Sequence, residues 1–380
     1  MADQAVTPAR FPGARRMLLL GLTTLLVLTG CASGRPEPSA GEPALSPAQV
    51  RQMIDESLPQ GVSDRPGWVT DIYDGFTVQG LEPSHQNVCA VVAVIEQESS
   101  FRVNPVVAGL GPIAWKEIDE RAARAGVPRF LVHAAMELKS PTGRTYSERI
   151  AAAKTEKDLS DLYEDFIGSV PLGRKLFSDW NPIRTRGPMQ VNVAFAESYV
   201  SVRRYPYSVK TTVADELFTR RGSLYFGIAH LFAYQPPYPQ YLYRFADFNA
   251  GQYASRNAAF QSAVSRLSGI ALATDGALLS HESDVSSTEL ALGALSGRLD
   301  MSASAIHSAL EEGKGKDFEQ TQLYRRVFAL AERAAKRPLP RALVPGIKLH
   351  GPKISRKLTT SWYAHRVNGR FERCMGKRSE

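Results

Sequence analysis

The sequence predicts a mainly α-helical fold for this chain of 380 residues. Apolar residues recur at helical spacing in most stretches after residue 46. Several stretches begin with a Ser or Thr that can cap a helix, and no run of alternating apolar and polar residues predicts a strand. The hydrophobic fraction of 43% and the charged fraction of 22% are typical of a folded globular protein, so we expect one large helical domain.

The N-terminus has the features of a secretory signal followed by a lipid anchor. Three arginines within residues 10–16 precede an apolar segment, residues 17–27, that is too short to span a bilayer stably. Residues 28–31 read Leu-Thr-Gly-Cys and resemble the lipobox of bacterial lipoproteins. The resemblance implies that residues 1–30 are a removed signal peptide and that Cys31 carries the lipid, with palmitate among its acyl chains.

The segment after Cys31 predicts the compartment and the kind of partner. By the same resemblance, Ala32 favours the outer membrane of a Gram-negative envelope, reached through the lipid anchor. Residues 31–46 are rich in Pro, Gly and Ser and predict a flexible tether. The net charge of +8 suits an anionic partner such as a cell-wall polymer or lipid. No basic run is interleaved with aromatic residues, so we expect no nucleic acid as a partner.

Helices are predicted along most of the remaining chain. Ser46 followed by proline predicts a helix start at residue 47, and the compact apolar run at 85–100 predicts a buried helix. Helical spacing also occurs at 68–78, 114–125, 129–138, 155–167, 187–200, 215–221, 223–234, 241–267 with a break near 249–251, 289–299, 302–312, 318–337 and 357–368.

We find no clear linker after residue 46, so we expect the rest of the chain to form one mostly helical domain. A main helical domain is expected over residues 47–270, interrupted by a long helical insertion at about residues 102–186. Residues 271–380 are expected to form a C-terminal helical extension, either packed on the main domain or forming a lobe, with Cys374 in a polar tail.

The buried helix at 85–100 ends in two carboxylates. On an ideal helix, Glu98 falls in the same arc as the apolar Val91, whereas Glu96 points away from it. A carboxyl on an apolar face is either paired or desolvated, and desolvation raises a carboxyl pKa as a general acid requires. From this helix alone, pairing with an arginine or capping of a neighbouring helix stays an alternative.

With Cys31 lipidated, Cys89 and Cys374 are the remaining cysteines. In an oxidising compartment these two can form one disulfide, which would tie the C-terminal tail to the helix that carries Glu98. Two unpaired buried thiols are the alternative.

Three short segments are informative because of their order along the chain. Residues 95–101 read Ile-Glu-Gln-Glu-Ser-Ser-Phe, residues 187–191 read Gly-Pro-Met-Gln-Val, and residues 246–251 read Ala-Asp-Phe-Asn-Ala-Gly. In this order they resemble the signature of the soluble lytic transglycosylases and goose-type lysozymes. A helical segment with Gly227 stands between the last two, where that family has a glycine-bearing helix.

The resemblance covers about residues 90–255 and implies a lysozyme-like fold. It implies that Glu98 is the single acid/base of a lytic transglycosylase that cleaves peptidoglycan glycan strands without a metal or cofactor, whereas ordinary glycosidases use two carboxylates. It also implies that the sugar is bound by Ser99, Met189, Gln190, Phe248 and Asn249.

Two positions depart from the family pattern. Pro188 stands where the family has leucine, and Phe248 stands where it has a tyrosine whose hydroxyl lies beside the catalytic acid. The interval between Glu98 and Gln190 is also much longer than in the family. The sequence therefore leaves open a second hypothesis, a non-catalytic envelope lipoprotein that binds glycan, peptide or a partner protein. The mature chain as a whole resembles the YaiW-like outer-membrane lipoproteins, a family of unknown function.

Other chemistries find little support in the sequence. The histidines lack a metal-ligand spacing such as His-Glu-x-x-His, and there is no Gly-x-Ser-x-Gly elbow. We expect Asp247 to cap or pair and His230 to be a core residue, although it could face the cleft. The aromatic and proline segment 234–241 is expected to be either a ligand-stacking rim or a rigid connection between helices.

Overall fold

The computed structural model describes residues 45–169, 175, 181–209, 211–280, 284–349 and 357–376. The predicted signal peptide, Cys31 and the tether up to residue 44 lie outside the described residues. From residue 45 onward the described chain forms one compact unit. It is mainly helical, as predicted, with seventeen α-helices and one two-stranded sheet among the described residues.

The elements follow one another along the chain in this order. The first half contains α1 (Pro47–Ser57), α2 (Arg65–Thr77), α3 (His85–Glu98), α4 (Leu110–Arg124), α5 (Arg129–Met136), α6 (Tyr146–Ala152), α7 (Glu156–Ser169), β1 (Thr185–Arg186), β2 (Val191–Asn192) and α8 (Val193–Val202). The second half contains α9 (Val213–Glu216), α10 (Arg220–Phe232), α11 (Tyr241–Ala250), α12 (Ala254–Ser268), α13 (Ser287–Gly293), α14 (Ser296–Leu299), α15 (Ala303–Glu311), α16 (Gln322–Ala335) and α17 (Thr360–Gly376), with short 3₁₀ helices at Glu312–Lys314 and Lys316–Gln320.

Helix α3 lies at the centre of the larger hydrophobic core. Every residue from 88 to 95 is buried, which explains why its apolar run has no polar face. The Ser84 hydroxyl accepts a hydrogen bond from the Asn87 N–H at 3.3 Å and so caps the helix start. Helices α1, α10 and α17 pack on α3, and α17 makes its most extensive contacts with α3 and α11. The last helix of the chain is therefore part of the central core.

A second hydrophobic core is built around α12. Its buried face packs against α13 and α16, and α15 packs in turn on those two helices. Phe260 lies at the centre of this core, with its ring centroid 5.0 Å from that of Phe318 and 5.8 Å from that of Tyr324. Arg256, on the same helix, is fully buried beside this cluster.

The predicted insertion forms helices α4 to α7, which have smaller hydrophobic clusters of their own. Tyr146 and Ile150 of α6 pack with Met136 and Leu162. Because this part buries few residues, it depends on local caps such as the capping box of Thr145 and Glu148 at the start of α6.

The predicted helix over residues 187–200 was wrong in its first turn. Residues 187–190 form a turn between β1 and β2, which pair antiparallel, and the helix begins only at Val193. Gly187 and Gln190 have φ angles of +72° and +49°, which a right-handed helix cannot contain. Asn192 then caps α8 by accepting a hydrogen bond from the Phe195 N–H at 3.3 Å.

The predicted end of the chain was wrong in a similar way. The expected helix over residues 357–368 begins at Thr360 and continues to Gly376, so that Cys374 lies in the helix and is buried rather than in a polar tail. Among the described residues, no helix has the length and apolar character needed to cross a membrane.

Candidate functional site

A cavity of about 1070 Å³ brings together residues that are far apart in the sequence. Glu98 at the end of α3, Gln190 in the turn before β2, and Phe248 and Asn249 of α11 all line it. These are four of the six residues for which the sequence predicted catalysis or substrate binding. Ser99 and Met189 are buried behind the cavity wall and do not line it.

Glu98 occupies the point where α3 ends and the chain turns sharply. It is half-buried, and the two residues after its neighbour Ser99, namely Ser100 and Phe101, have φ angles of +50° and +61°. Such angles are costly for residues other than glycine and persist where packing enforces them. Here the Phe101 ring packs edge-on against Trp68, with centroids 5.1 Å apart. The turn thus fixes the carboxylate at the cavity wall.

Tyr363 of α17 lies beside Glu98. The tyrosine is 4% exposed and lines the same cavity. Burial raises the pKa of its hydroxyl well above the usual value, and the charge of Glu98 and the hydroxyl's approach to that carboxylate raise it further. The hydroxyl lies close enough to donate a hydrogen bond to Glu98, but its geometry is not that of a well-formed bond.

The Gln190 side chain is held by hydrogen bonds at both of its polar atoms. Its Nε2 donates to the carboxylate of Glu156 at 3.0 Å and to the carbonyl of Gly187 at 3.3 Å. Its Oε1 accepts a hydrogen bond from the hydroxyl of Thr185 at 2.8 Å. Because Glu156 belongs to α7, the insertion contributes directly to the position of Gln190.

Met189 and Ser99 support the site from behind. The Met189 N–H donates to the Ser223 hydroxyl at 3.0 Å, and its fully buried side chain packs against Gly227 on α10. The Ser99 hydroxyl donates to the Ile95 carbonyl at 3.1 Å within its own helix. Both residues are therefore placed to hold the wall of the cavity.

Aromatic rings form part of the wall of the same cavity. The His230 ring lies between those of Phe195 and Phe248, with centroid distances of 4.4 Å and 4.9 Å. Burial lowers the pKa of His230 to about 4, so this ring is neutral at neutral pH. His230 is thus a buried, uncharged residue that also lines the cavity. Flat apolar surfaces of this kind suit the apolar face of a ring-shaped ligand.

Asn249 joins α11 to α17 at the cavity edge. Its Oδ1 accepts a hydrogen bond from the hydroxyl of Thr360 at 2.8 Å. This bond fixes the orientation of the amide, because the other side of the group can only donate. Asn249 therefore presents hydrogen-bond donors on a fixed side chain.

Asp247 does not line the cavity. It is fully buried and accepts hydrogen bonds from the hydroxyls of Tyr234 and Tyr238 and, at 2.7 Å, from the N–H of Ser255 at the start of α12. Burial raises the pKa of Asp247, although these hydrogen bonds oppose the shift. The segment 234–241 is accordingly held as a rigid connection between α10 and α11.

Sequence reasoning missed the part of the cavity wall that follows residue 255. Trp362 and Tyr363 come from α17, Asp275 lies in the connection between α12 and α13, and Lys314 lies in the 3₁₀ helix Glu312–Lys314. Asp275 is a second carboxylate on the wall, where it accepts hydrogen bonds from the Gln261 amide at 2.8 Å and the Ala277 N–H at 3.0 Å. The expected pairing of Cys89 with Cys374 was the one sequence signal that placed the last helix near Glu98.

The disulfide between Cys89 and Cys374 is present, with Cα atoms 5.6 Å apart. The pairing is the one that the sequence predicted, but it joins α3 to the helix α17 rather than to a polar tail. His85 lies near both sulfur atoms, and the three ligand atoms are within 4.8 Å of one another. Because both sulfurs are used in the disulfide, this group does not offer a metal the thiolates that it would need.

Comparison with known proteins shows the family. The sequence matches, over residues 61–377, the family described as protein of unknown function DUF1615. It is 49% identical over 358 residues to the uncharacterized protein YaiW of Escherichia coli strain K12, a match that covers 94% of this chain and 97% of that relative. No solved structure matches the chain. The chain therefore belongs to the DUF1615 family of proteins of unknown function.

Proposed function

We propose that this protein is an outer-membrane-anchored lipoprotein with a lysozyme-like domain that cleaves the glycan strands of peptidoglycan. Glu98 is the acid/base, and the lipid on Cys31 holds the domain at the membrane. The observation that carries the proposal is the meeting of Glu98, Gln190, Phe248 and Asn249 in one cavity, because these residues come from three separate motifs of the transglycosylase signature.

The size and lining of the cavity suit a sugar chain. Its volume of about 1070 Å³ is at the upper end of the range of small-ligand sites, which fits several sugar units better than one. Phe248 offers an apolar face, and the Asn249 amide offers N–H donors for sugar hydroxyls and acetamido groups. Both N–H groups of Gln190 are already bonded, so its Oε1 offers a hydrogen-bond acceptor. The net charge of +8 favours approach to an anionic polymer.

In the proposed reaction, Glu98 serves both half-steps. As an acid it gives its proton to the glycosidic oxygen between N-acetylmuramic acid and N-acetylglucosamine while the bond from that oxygen to the muramic C1 breaks. The carboxylate then takes the proton of the muramic 6-hydroxyl, and the 6-oxygen bonds to C1 to close a 1,6-anhydro ring. Glu98 is protonated again at the end, so no second carboxylate is needed.

One observation favours a second candidate function, a non-catalytic lipoprotein that holds glycan, peptide or an envelope partner. Phe248 lacks a hydroxyl at the position where the transglycosylase signature has tyrosine, and Pro188 also departs from the pattern. A cavity that kept its shape but lacked a complete set of catalytic groups would still bind the same polymer.

The deciding experiment compares three forms of the purified full-length lipoprotein in detergent, each incubated with peptidoglycan sacculi. The forms are the wild type, Glu98→Gln, and Glu56→Gln as a matched control. Glu56 is an exposed carboxylate on α1 that accepts a hydrogen bond from the Gln52 amide at 2.8 Å. We expect anhydro-muropeptides from the wild type and from Glu56→Gln, and a loss of at least about 100-fold in Glu98→Gln.

The second candidate predicts a different result. If no form releases anhydro-muropeptides but all three co-sediment with sacculi, the protein binds the polymer without cleaving it. If Glu98→Gln releases as much product as the wild type, Glu98 is not the acid/base.

A further inference from the structure

We propose that Tyr363, on the last helix, is a positioning residue that orients the Glu98 carboxylate for the acid/base steps. This inference rests on the proposed function and deepens it. It assigns a role in the site to a residue that lies outside all three segments of the transglycosylase signature.

The first argument is the position of the Tyr363 hydroxyl. The tyrosine is 4% exposed, and its hydroxyl has no well-formed hydrogen bond among the described residues. A buried hydroxyl without such a bond is costly and usually has a functional reason. Its neighbour is the Glu98 carboxylate, and hydrogen bonds at catalytic groups are often loose until the ligand is bound.

The second argument is that a hydroxyl group is missing at position 248. Phe248 lines the cavity with Glu98 but has no hydroxyl to offer the carboxylate. Tyr363 lines the same cavity and brings a hydroxyl from α17. The phenol thus reaches the carboxylate from a different wall.

The third argument is that α17 is held firmly against α3. The disulfide joins Cys89 to Cys374, and Arg370 and Arg373 form ion pairs with Glu96 at 3.4 Å. Contacts that run from 89 to 98 on α3 and from 374 back to 363 on α17 are those of two antiparallel helices. A side chain on a helix fixed in this way keeps its place better than one on a loop.

Several charged or titratable groups surround the pair. On α17, the charge of Arg370 opposes the effect of Glu98 on the Tyr363 hydroxyl. On α3, Glu96 is bound to Arg370. His230 of α10 and Asp275 line the same cavity. A test of the pair must therefore separate Glu98 from these neighbours.

A direct test follows the Tyr363 hydroxyl by NMR, without using activity. The full-length protein in detergent is labelled with ¹³C at the tyrosine ζ-carbon, and Tyr363→Phe identifies the signal of residue 363. We expect the wild-type signal to shift as carboxyl groups ionise between about pH 3 and pH 7. The shift should vanish in Glu98→Gln and persist in Asp275→Asn. A flat signal in the wild type, or a shift that persists in Glu98→Gln, would overturn the proposal.

A kinetic test uses Tyr363→Phe, which keeps the ring. Tyr324→Phe is the matched control, because Tyr324 is also a buried tyrosine without a well-formed hydrogen bond among the described residues but lies in the second core. Anhydro-muropeptide release should fall by about 10- to 100-fold in Tyr363→Phe, since a hydrogen bond to a charged group is lost. The alkaline limb of its pH profile should move to higher pH, because Glu98 must be protonated to start the reaction and a carboxylate that has lost a donor keeps its proton to higher pH. Tyr324→Phe should change neither quantity.

The two proposals fail in different ways. If the wild type releases no anhydro-muropeptides while the NMR signal follows Glu98, the cleavage proposal fails and the Tyr363–Glu98 pair stands. If the wild type cleaves and Tyr363→Phe matches it in both rate and pH profile, the positioning role is wrong and the cleavage proposal stands.

Discussion

The Met189 side chain fills the space beside Gly227, so that the turn at residues 187–190 rests directly on α10. A Cβ atom added to Gly227 would overlap the Met189 sulfur. This contact holds the segment that carries Gln190 in place, and it depends on the absence of a side chain at one position of a buried helix.

Gly227→Ala should destabilise the protein, although alanine is the better helix former. The gain from helix propensity is about 1 kcal/mol. Overpacking a buried site costs about 1–3 kcal/mol, and here the clash also displaces the turn that carries Gln190. We expect a net decrease of about 1 kcal/mol in the free energy of unfolding, measured by urea titration. Gly293→Ala on α13 is the control, because a Cβ there meets nothing within 4 Å, and it should not destabilise.

His230 should make stability depend on pH. Its pKa in the folded protein is about 4, below the ordinary value of 6.5, because burial disfavours the charged ring. Unfolding therefore takes up a proton at pH values between these two. The contribution is fully present above about pH 6.5 and is lost as the pH falls toward 4, by on the order of 3 kcal/mol.

The measurement for this prediction is urea unfolding at pH 7 and pH 4.5 with the wild type, His230→Phe and His365→Gln. His365 is an exposed histidine on α17. The wild type and His365→Gln should lose stability in parallel, whereas His230→Phe should lose clearly less. Equal losses in all three proteins would contradict a buried, neutral His230.

Replacing both Cys89 and Cys374 by serine should lower the free energy of unfolding by about 2–5 kcal/mol. The disulfide spans a sequence separation of 285 residues, and closing so long a loop restricts the unfolded chain strongly. Guanidinium unfolding of the wild type under reducing conditions should approach the result for the double variant. If the unreduced, unfolded wild type shows two free thiols, the disulfide is absent and the prediction fails.

Arg256→Ala should destabilise the second core by about 3 kcal/mol or more. The buried guanidinium donates hydrogen bonds to the carbonyls of Gly313 and Gly315 at 2.7 Å and 2.8 Å, and it lies 4.3 Å from the ring centroid of Tyr253. Removing the guanidinium leaves the carbonyls of Gly313 and Gly315 with fewer hydrogen-bond donors. It also leaves a cavity among the neighbouring aromatic rings. Arg266→Ala, at an exposed position of the same helix, should cost less than about 0.5 kcal/mol in the same urea titration.

The sequence predicted features that depend on local pattern. The cap at Ser46, the fully apolar α3 and the pairing of Cys89 with Cys374 were all readable, because each follows from residue type and spacing. The turn at 187–190 was not, since positive φ angles at Gly187 and Gln190 leave no periodicity to detect.

The C-terminal contribution to the cavity could not be predicted from the sequence for a different reason. Helical spacing shows that α17 has an apolar face, but it does not show which helix that face covers. No motif in the sequence marks Trp362 or Tyr363 as a site residue, and their place in the cavity follows from the contacts of α17 with α3 and α11. Likewise, Glu156 in the insertion carried no motif, and its bond to Gln190 is a product of tertiary packing.

The position of α17 also sets the order in which the cavity can form during synthesis. The chain is made from the N-terminus, so the wall that carries Glu98 is complete long before the wall that carries Tyr363. Contacts between segments so far apart in the sequence form late, because the intervening chain must first be ordered. A chain cut short before residue 360 would keep the three signature motifs and lack one wall of their cavity. Such a fragment would contain the sequence motifs of the site but would not form the complete cavity.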